Sequence, residues 1–206
     1  MPIALSAAAV LWFVMFSTWT ASRVNFWLTM AVASLVLLLF ARPWKGKVEG
    51  AATPSGIGKF WRQLLLGLGL ALFMWMIFWV GNYLSSAWFD FARPQVELVY
   101  AIREEAPAWL IALQLLLLTG PAEELFWRGY IQRNLSQRWN GGTAYLVTLS
   151  LYTAVHVWSF NFMLIMSALV CGAVWGVLYW WRPHCLPALV IAHAVWDTCV
   201  FVVFPI

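Results

Sequence analysis

Residues 108–133 read AWLIALQLLLLTGPAEELFWRGYIQR. From 108 to 128 and beyond, this is an apolar run of the ~20 residues that a helix needs to cross a bilayer. Yet Glu123, Glu124 and Arg128 lie inside it. Gly120 and Pro121 stand just before the glutamates, and a proline there removes a backbone donor and opens or kinks the helix. Further apolar runs lie at 3–20, 26–40, 64–84, 143–158, 162–181 and 186–204. The chain therefore reads as all-α, a polytopic transmembrane helix bundle of about seven spans. It is expected to be a single membrane domain over 1–206, with N-terminal spans and loops in 1–107 and the polar core in 108–206.

Composition agrees. Hydrophobic residues make up 64% of the 206 and charged residues 10%, against roughly 45–50% and about 25% in soluble domains. A chain this short cannot bury that excess within itself, so most of it faces lipid. Sixteen Trp suit the same setting, because an indole ring at the interface is buried while its N–H stays wet. The net charge of +4 does not point to nucleic acid, since the basic residues sit in loops between apolar runs. Cys171, Cys185 and Cys199 are odd in number and form no C-x-x-C. They are read as small buried hydrophobes rather than as a disulfide framework or a cysteine-based zinc site. The first apolar run has no charged residues before it, so it is expected to be retained as a helix rather than cleaved as a signal peptide.

The loops orient the bundle. Residues 41–63 hold Arg42, Lys45, Lys47, Lys59 and Arg62 against Glu49 alone, and are punctuated by Pro43, Gly46, Gly50, Pro54, Gly56 and Gly58. This reads as a basic loop in the cytoplasm. Residues 82–107 hold Asp90, Glu97, Glu104 and Glu105 with Arg93 and Arg103, and read as an acidic loop outside. Arg133, Arg138 and Arg182 return to the basic side. The N-terminus is expected inside and the C-terminus outside.

With the loops set aside, Glu123, Glu124, Arg128 and Asp197 remain within spans, joined by His156 and His193. Each ionisable group at membrane depth costs at least ~2.5 kcal/mol on insertion scales, so such residues face a partner or a wet cavity. Glu124 and Arg128 are four apart and pair on one helix face. Glu123 is turned about 100° away and is free of that pair. His193 and Asp197 share the same spacing, as do Tyr152 and His156. Counting ~1.5 Å per residue from Arg138, Gly142 and Arg182, Glu123 and His156 lie roughly 20 Å deep and His193 with Asp197 about 16–22 Å. Three helices thus deliver polar groups to one level. Tyr152 itself is read as packing, and His184 as an interfacial loop residue.

These motifs resemble a known signature. Glu123-Glu124-Leu-Phe-Trp-Arg128, then Tyr152-x-x-x-His156, then His193-x-x-x-Asp197, is similar to the three motifs of the CPBP family. That family holds the type II CAAX prenyl endopeptidases and bacteriocin-processing and immunity-type relatives. The resemblance runs from about residue 108 to the C-terminus, and Pro-Ala-Glu-Glu-Leu-Phe-Trp-Arg-Gly-Tyr-Ile-Gln is its most specific part. It implies that Glu123 and His156 activate a water, that His193 and Asp197 face the oxyanion, and that Glu124 and Arg128 hold the geometry. Tyr152 replaces the usual Phe. Asp197 replaces the Asn of the prenyl-protein branch, as in many bacterial members. An ionised Asp cannot donate to an oxyanion, so either a low-dielectric setting keeps Asp197 protonated or, as the i, i+4 spacing favours, it orients and charges His193.

The expected activity is therefore an intramembrane glutamic endopeptidase without cofactor, acting on a membrane-associated peptide or protein in the bilayer of a bacterial cytoplasmic membrane. Pheromone precursors, bacteriocin precursors and C-terminal sorting tails are the expected substrates. Three rivals stand beside it. Glu123, His156, His193 and Asp197 are acceptable zinc ligands, although His-Glu-x-x-His is absent. A membrane scaffold or immunity protein could use the same residues as a polar lock. A transporter would bring more helices or inverted repeats.

Overall fold

The computed structural model describes residues 1–41 and 57–206, which are helical throughout with short turns. Eight helical segments follow in order among them. They are α1 (Pro2–Phe16), α2 (Phe26–Ala41), α3 (Ile57–Trp88), α4 (Ala92–Ala101), α5 (Ala108–Ser136), α6 (Gly141–Ala154), α7 (Phe162–Trp181) and α8 (Pro183–Val203). α3, α5, α7 and α8 are long and apolar enough to cross a membrane. α1 and α2 are apolar but shorter, at 15 and 16 residues. The expected span at 143–158 is a 14-residue helix, α6.

The helices alternate in direction. At one end the start of α2 meets the loop before α5, where the Phe26 N–H donates to Glu105 at 2.7 Å. At this end Asn161 at the head of α7 also donates to the Gln95 carbonyl of α4 at 2.8 Å. Tyr100 of α4 reaches the Val200 carbonyl near the end of α8 at 3.0 Å. At the other end the beginnings of α3 and α8 meet, through Gln63 and the His184 carbonyl at 3.2 Å. The start of α6 meets the end of α7 there, with Tyr145 and Trp180 stacked at 5.9 Å. Exposed Trp61, Trp139, Trp180 and Trp181 mark this second end, and Trp19, Trp88, Trp109 and Trp158 the first. Two such belts are where indoles settle at bilayer interfaces.

Two expected loops are in fact helical. Lys59 and Arg62 belong to the first turns of α3, because 57–63 contains no proline and continues the apolar helix behind it. The rest of the basic stretch, 42–56, lies outside the described residues. The acidic stretch 82–107 is the end of α3, then α4, then a 3-10 turn at Ile102–Glu105. Its charges line exposed helix faces, as in the Arg93–Glu97 pair at 3.4 Å.

Buried residues from seven of the eight segments form one cluster, including Trp12 of α1, Leu37 of α2, Met74 of α3, Phe126 of α5, Tyr152 of α6, Trp175 of α7 and Leu189 of α8. Small residues set the closest approaches, as between membrane helices generally. A Cβ on Gly120 of α5 would stand 2.6 Å from the Ala194 Cα of α8. A Cβ on Gly172 of α7 would stand 2.9 Å from the Tyr152 ring of α6.

Candidate active site

Pro121 does not break α5. Instead the helix widens into π turns on both sides, at Leu115–Thr119 and Leu125–Gln132. A proline has no N–H to give, and single π turns absorb such a missing bond while re-aiming side chains, often at functional sites. Between the two π turns, Glu123 and Glu124 both point into the bundle and are buried.

Glu124 and Arg128 pair at 2.8 Å, both fully enclosed. The same carboxylate oxygen, Oε1, also meets His193 Nδ1 at 2.8 Å. Arg128 reaches the carbonyls of Cys171 and Gly172 at 3.4 Å each. Its guanidinium lies 4.9 Å from the centre of the Tyr152 ring. α5, α6, α7 and α8 are thereby tied through one ion pair. Below it, Gln132 donates to the Gly176 carbonyl at 2.9 Å.

Glu123 is indeed free of Arg128, but not of every partner. The Tyr152 hydroxyl donates to its Oε2 at 3.1 Å. The packing role expected for Tyr152 is thus incomplete. Its ring packs against Trp127 at 5.3 Å while its hydroxyl holds the carboxylate. Glu123 Oε1 has no hydrogen-bond partner among the described residues, although the side chain is only 6% exposed.

His156 lies past the end of α6, in a turn rather than on the helix face that the spacing suggests. Its N–H closes a 3-10 bond to the Thr153 carbonyl, and the chain reverses at Phe160, whose φ is 49°. The imidazole is nonetheless fixed at both nitrogens. Nδ1 meets the Tyr152 carbonyl at 2.8 Å, and a carbonyl only accepts, so Nδ1 carries the hydrogen. Nε2 is then the acceptor, and it takes the indole N–H of Trp12 at 3.1 Å. Glu123 and His156 do not bond to each other. Tyr152 stands between them, its hydroxyl on one and its carbonyl on the other.

His193 lies between two carboxylates. Asp197 Oδ2 is 3.5 Å from Nε2, too long for a strong hydrogen bond. Asp197 thus pairs with His193 across the expected spacing, but as the looser of two carboxylates that hold the ring. Glu124 is the nearer partner, because the α5–α8 contact at Gly120 brings its helix against His193. Trp175 and Trp196 flank the His193 ring at 6.2 Å each, and both indole N–H groups are buried without a partner.

All six residues singled out in the sequence thus belong to one buried neighbourhood. Trp12, 144 positions from His156, was not legible, since nothing distinguishes it among sixteen Trp. Reading Tyr152 as packing also misses the role of its hydroxyl, although a polar group one helical turn before His156 is the signal that could find it. Among the described residues no three of His, Cys, Asp and Glu gather as a metal-ligand set.

Fold and site together define an integral membrane protein of many helices, with a carboxylate–histidine cluster sealed among its C-terminal ones. Residues 105–199 match the family model described as Rce1-like, type II CAAX prenyl endopeptidase. That model describes the family that the three motifs resemble, and all six site residues fall within the matched segment. The likeness supports a CAAX-type protease of the membrane. No curated protein and no solved structure matches the chain.

Proposed function

We propose that the protein is a glutamic intramembrane endopeptidase in which Glu123 is the general base. The observation that carries this reading is the division of labour within its carboxylate. Tyr152 fixes Oε2, and Oε1 has no hydrogen-bond partner among the described residues, whereas the unpartnered oxygen of Glu124 belongs to a carboxylate already paired with Arg128 and His193. A water on Oε1 is positioned for attack within hydrogen-bond reach of its base. The water loses its proton to Glu123 as its oxygen bonds to the scissile carbonyl carbon. The C–N bond then breaks, and the leaving amine takes that proton.

The negative charge that develops on the carbonyl oxygen falls to His193. With Nδ1 donating to Glu124 and Nε2 facing Asp197, the ring donates from both sides as an imidazolium. The long Asp197 contact leaves the Nε2 hydrogen the freer of the two, so it is the donor available to an oxyanion. The unpartnered indoles of Trp175 and Trp196 are further donors beside it. Glu124 and Arg128 hold His193 in place. His156 keeps its lone pair at Nε2 and shares the water with Glu123 when Trp12 gives way. No metal is needed for any of these steps. Short peptides released at the membrane, such as pheromone or bacteriocin precursors and sorting tails, are the substrate class.

The test compares wild type with Glu123→Gln in detergent, using mass spectrometry of a membrane-peptide library, thermal stability and a chelator arm. Cleavage should fall by at least ~100-fold with the general base removed, at matched stability and with no chelator effect. Cleavage lost to chelator assigns the site to a metal instead. Equal silence from both proteins, with only the variant unfolding, makes Glu123 a structural lock.

A further inference from the structure

A cavity lies away from the buried carboxylate–histidine cluster. It occupies about 550 Å³ at the end of the bundle where α3 begins, α7 ends and α8 begins. Lys59 and Arg62 of α3 and Arg182 at the α7–α8 turn line its mouth, and all three are exposed. Its wall is apolar, with Leu66 and Leu70 one helical turn apart on α3 facing Leu178 and Leu189. The cavity is therefore amphiphilic along its length, cationic at the interface and leucine-lined going inward.

Two further observations say what fits it. The carboxylates of the described residues lie elsewhere. Asp90, Glu97, Glu104 and Glu105 are at the opposite end, and Glu123, Glu124 and Asp197 are in the catalytic cluster. No ion pair within the described residues engages Lys59, Arg62 or Arg182. Gln63, which also lines the cavity, donates through Nε2 to the His184 carbonyl, while its Oε1 is buried without a donor. A ligand with an anion for the three cations, a hydroxyl for the glutamine and an alkyl chain for the leucines satisfies every feature.

We propose that this cavity seats an anionic phospholipid with a hydroxylated headgroup, its phosphate between Lys59, Arg62 and Arg182 and an acyl chain along the four leucines. Basic pockets between membrane helices hold anionic headgroups by the same physics, each cation adding to the attraction near the surface. The seat is independent of the protease reading. It bears on it only through α8, where Leu189 lies one turn before His193.

The full chain is reconstituted in phosphatidylcholine bilayers with or without phosphatidylglycerol, and bound lipid is counted by native mass spectrometry alongside melting temperature. Phosphatidylglycerol should be retained over phosphatidylcholine by about one to two orders of magnitude in affinity and should raise the melting temperature. Lys59→Gln/Arg62→Gln/Arg182→Gln should abolish both effects. Leu66→Trp, which fills the groove and keeps all three cations, should abolish them as well. Retention undiminished by Leu66→Trp would mean diffuse attraction to a charged surface and overturns the seat. Equal stabilisation by inorganic phosphate in neutral bilayers would mean a free-anion site and overturns the lipid assignment. Equal retention of both lipids by the wild type overturns it outright.

Discussion

Tyr152 carries two roles that its position in the sequence only half suggests. It sits one turn before His156 and replaces the Phe usual in the second motif, which invites a reading as mild variation. Its hydroxyl instead fixes one oxygen of Glu123. A hydrogen bond to a charged group is worth about 1.5–3 kcal/mol, so Tyr152→Phe should lower kcat by roughly 10- to 100-fold with KM little changed. Stability should hold, because the ring keeps its contacts with Trp127 and Arg128. An unchanged kcat would show that the bond does not orient the base. Trp12 permits a sharper test of His156. Its indole occupies the Nε2 lone pair that a water would need. Trp12→Phe keeps an aromatic ring and releases that lone pair, so turnover should rise about fivefold, read in single-turnover assays with melting temperature alongside. A fall in turnover at matched stability would make the indole a required positioning group. Charged residues inside apolar runs announce themselves, which is why Glu123, Glu124, Arg128, His193 and Asp197 were legible. A tryptophan among many does not.

At the scale of the elements, the i, i+4 spacings were sound on α5 and α8, and on α6 they paired Tyr152 with His156, whose rings meet at 5.2 Å, without showing that the helix ends between them. Helical periodicity predicts which residues share a face only while the helix lasts, and α6 stops at Ala154. His156 is then placed by a 3-10 turn and by its two hydrogen bonds. The π turns of α5 were equally invisible, although Pro121 marked where the regular helix would have to yield. Nor does spacing within one helix reveal a contact between two. Glu124 reads as the partner of Arg128, and its second partner, His193, comes from α8. That contact depends on Gly120, where a Cβ would meet the Ala194 backbone at 2.6 and 2.8 Å. Gly120→Ala should therefore push α5 from α8 and destabilise the protein by about 1–3 kcal/mol, the range for overpacking. It should also reduce cleavage beyond the loss of folded protein. Denaturation in mild detergent and activity per folded molecule measure the two effects separately. A variant as stable and active as wild type would show that the close approach is dispensable.

Over the whole molecule, charge and helix direction give the same account of the bilayer. The described carboxylates outside the buried carboxylate–histidine cluster lie at the end of the bundle where α3 stops and α5 starts. Lys59, Arg62, Arg138 and Arg182 lie at the opposite end, and we propose, from the preference of basic residues for the cytoplasm, that this end faces inside. α1 and α6, at 15 and 14 residues, span only about 21–22 Å, short of a hydrocarbon core of ~30 Å. They nevertheless complete the alternation of direction, since α1 ends beside His156 and α6 begins beside Trp180. Bundle neighbours and local bilayer thinning accommodate such short segments at modest cost. In a chain with Cys171, Cys185 and Cys199 changed to serine, single cysteines at exposed Asp90 and Arg138 report the two ends. Asp90→Cys should react with an impermeant maleimide in intact cells, and Arg138→Cys only after lysis. Reversed labelling would turn the bundle over. Labelling of both from outside would mean that one short helix does not cross, and that the catalytic cluster is reached from a different face than the charge pattern implies.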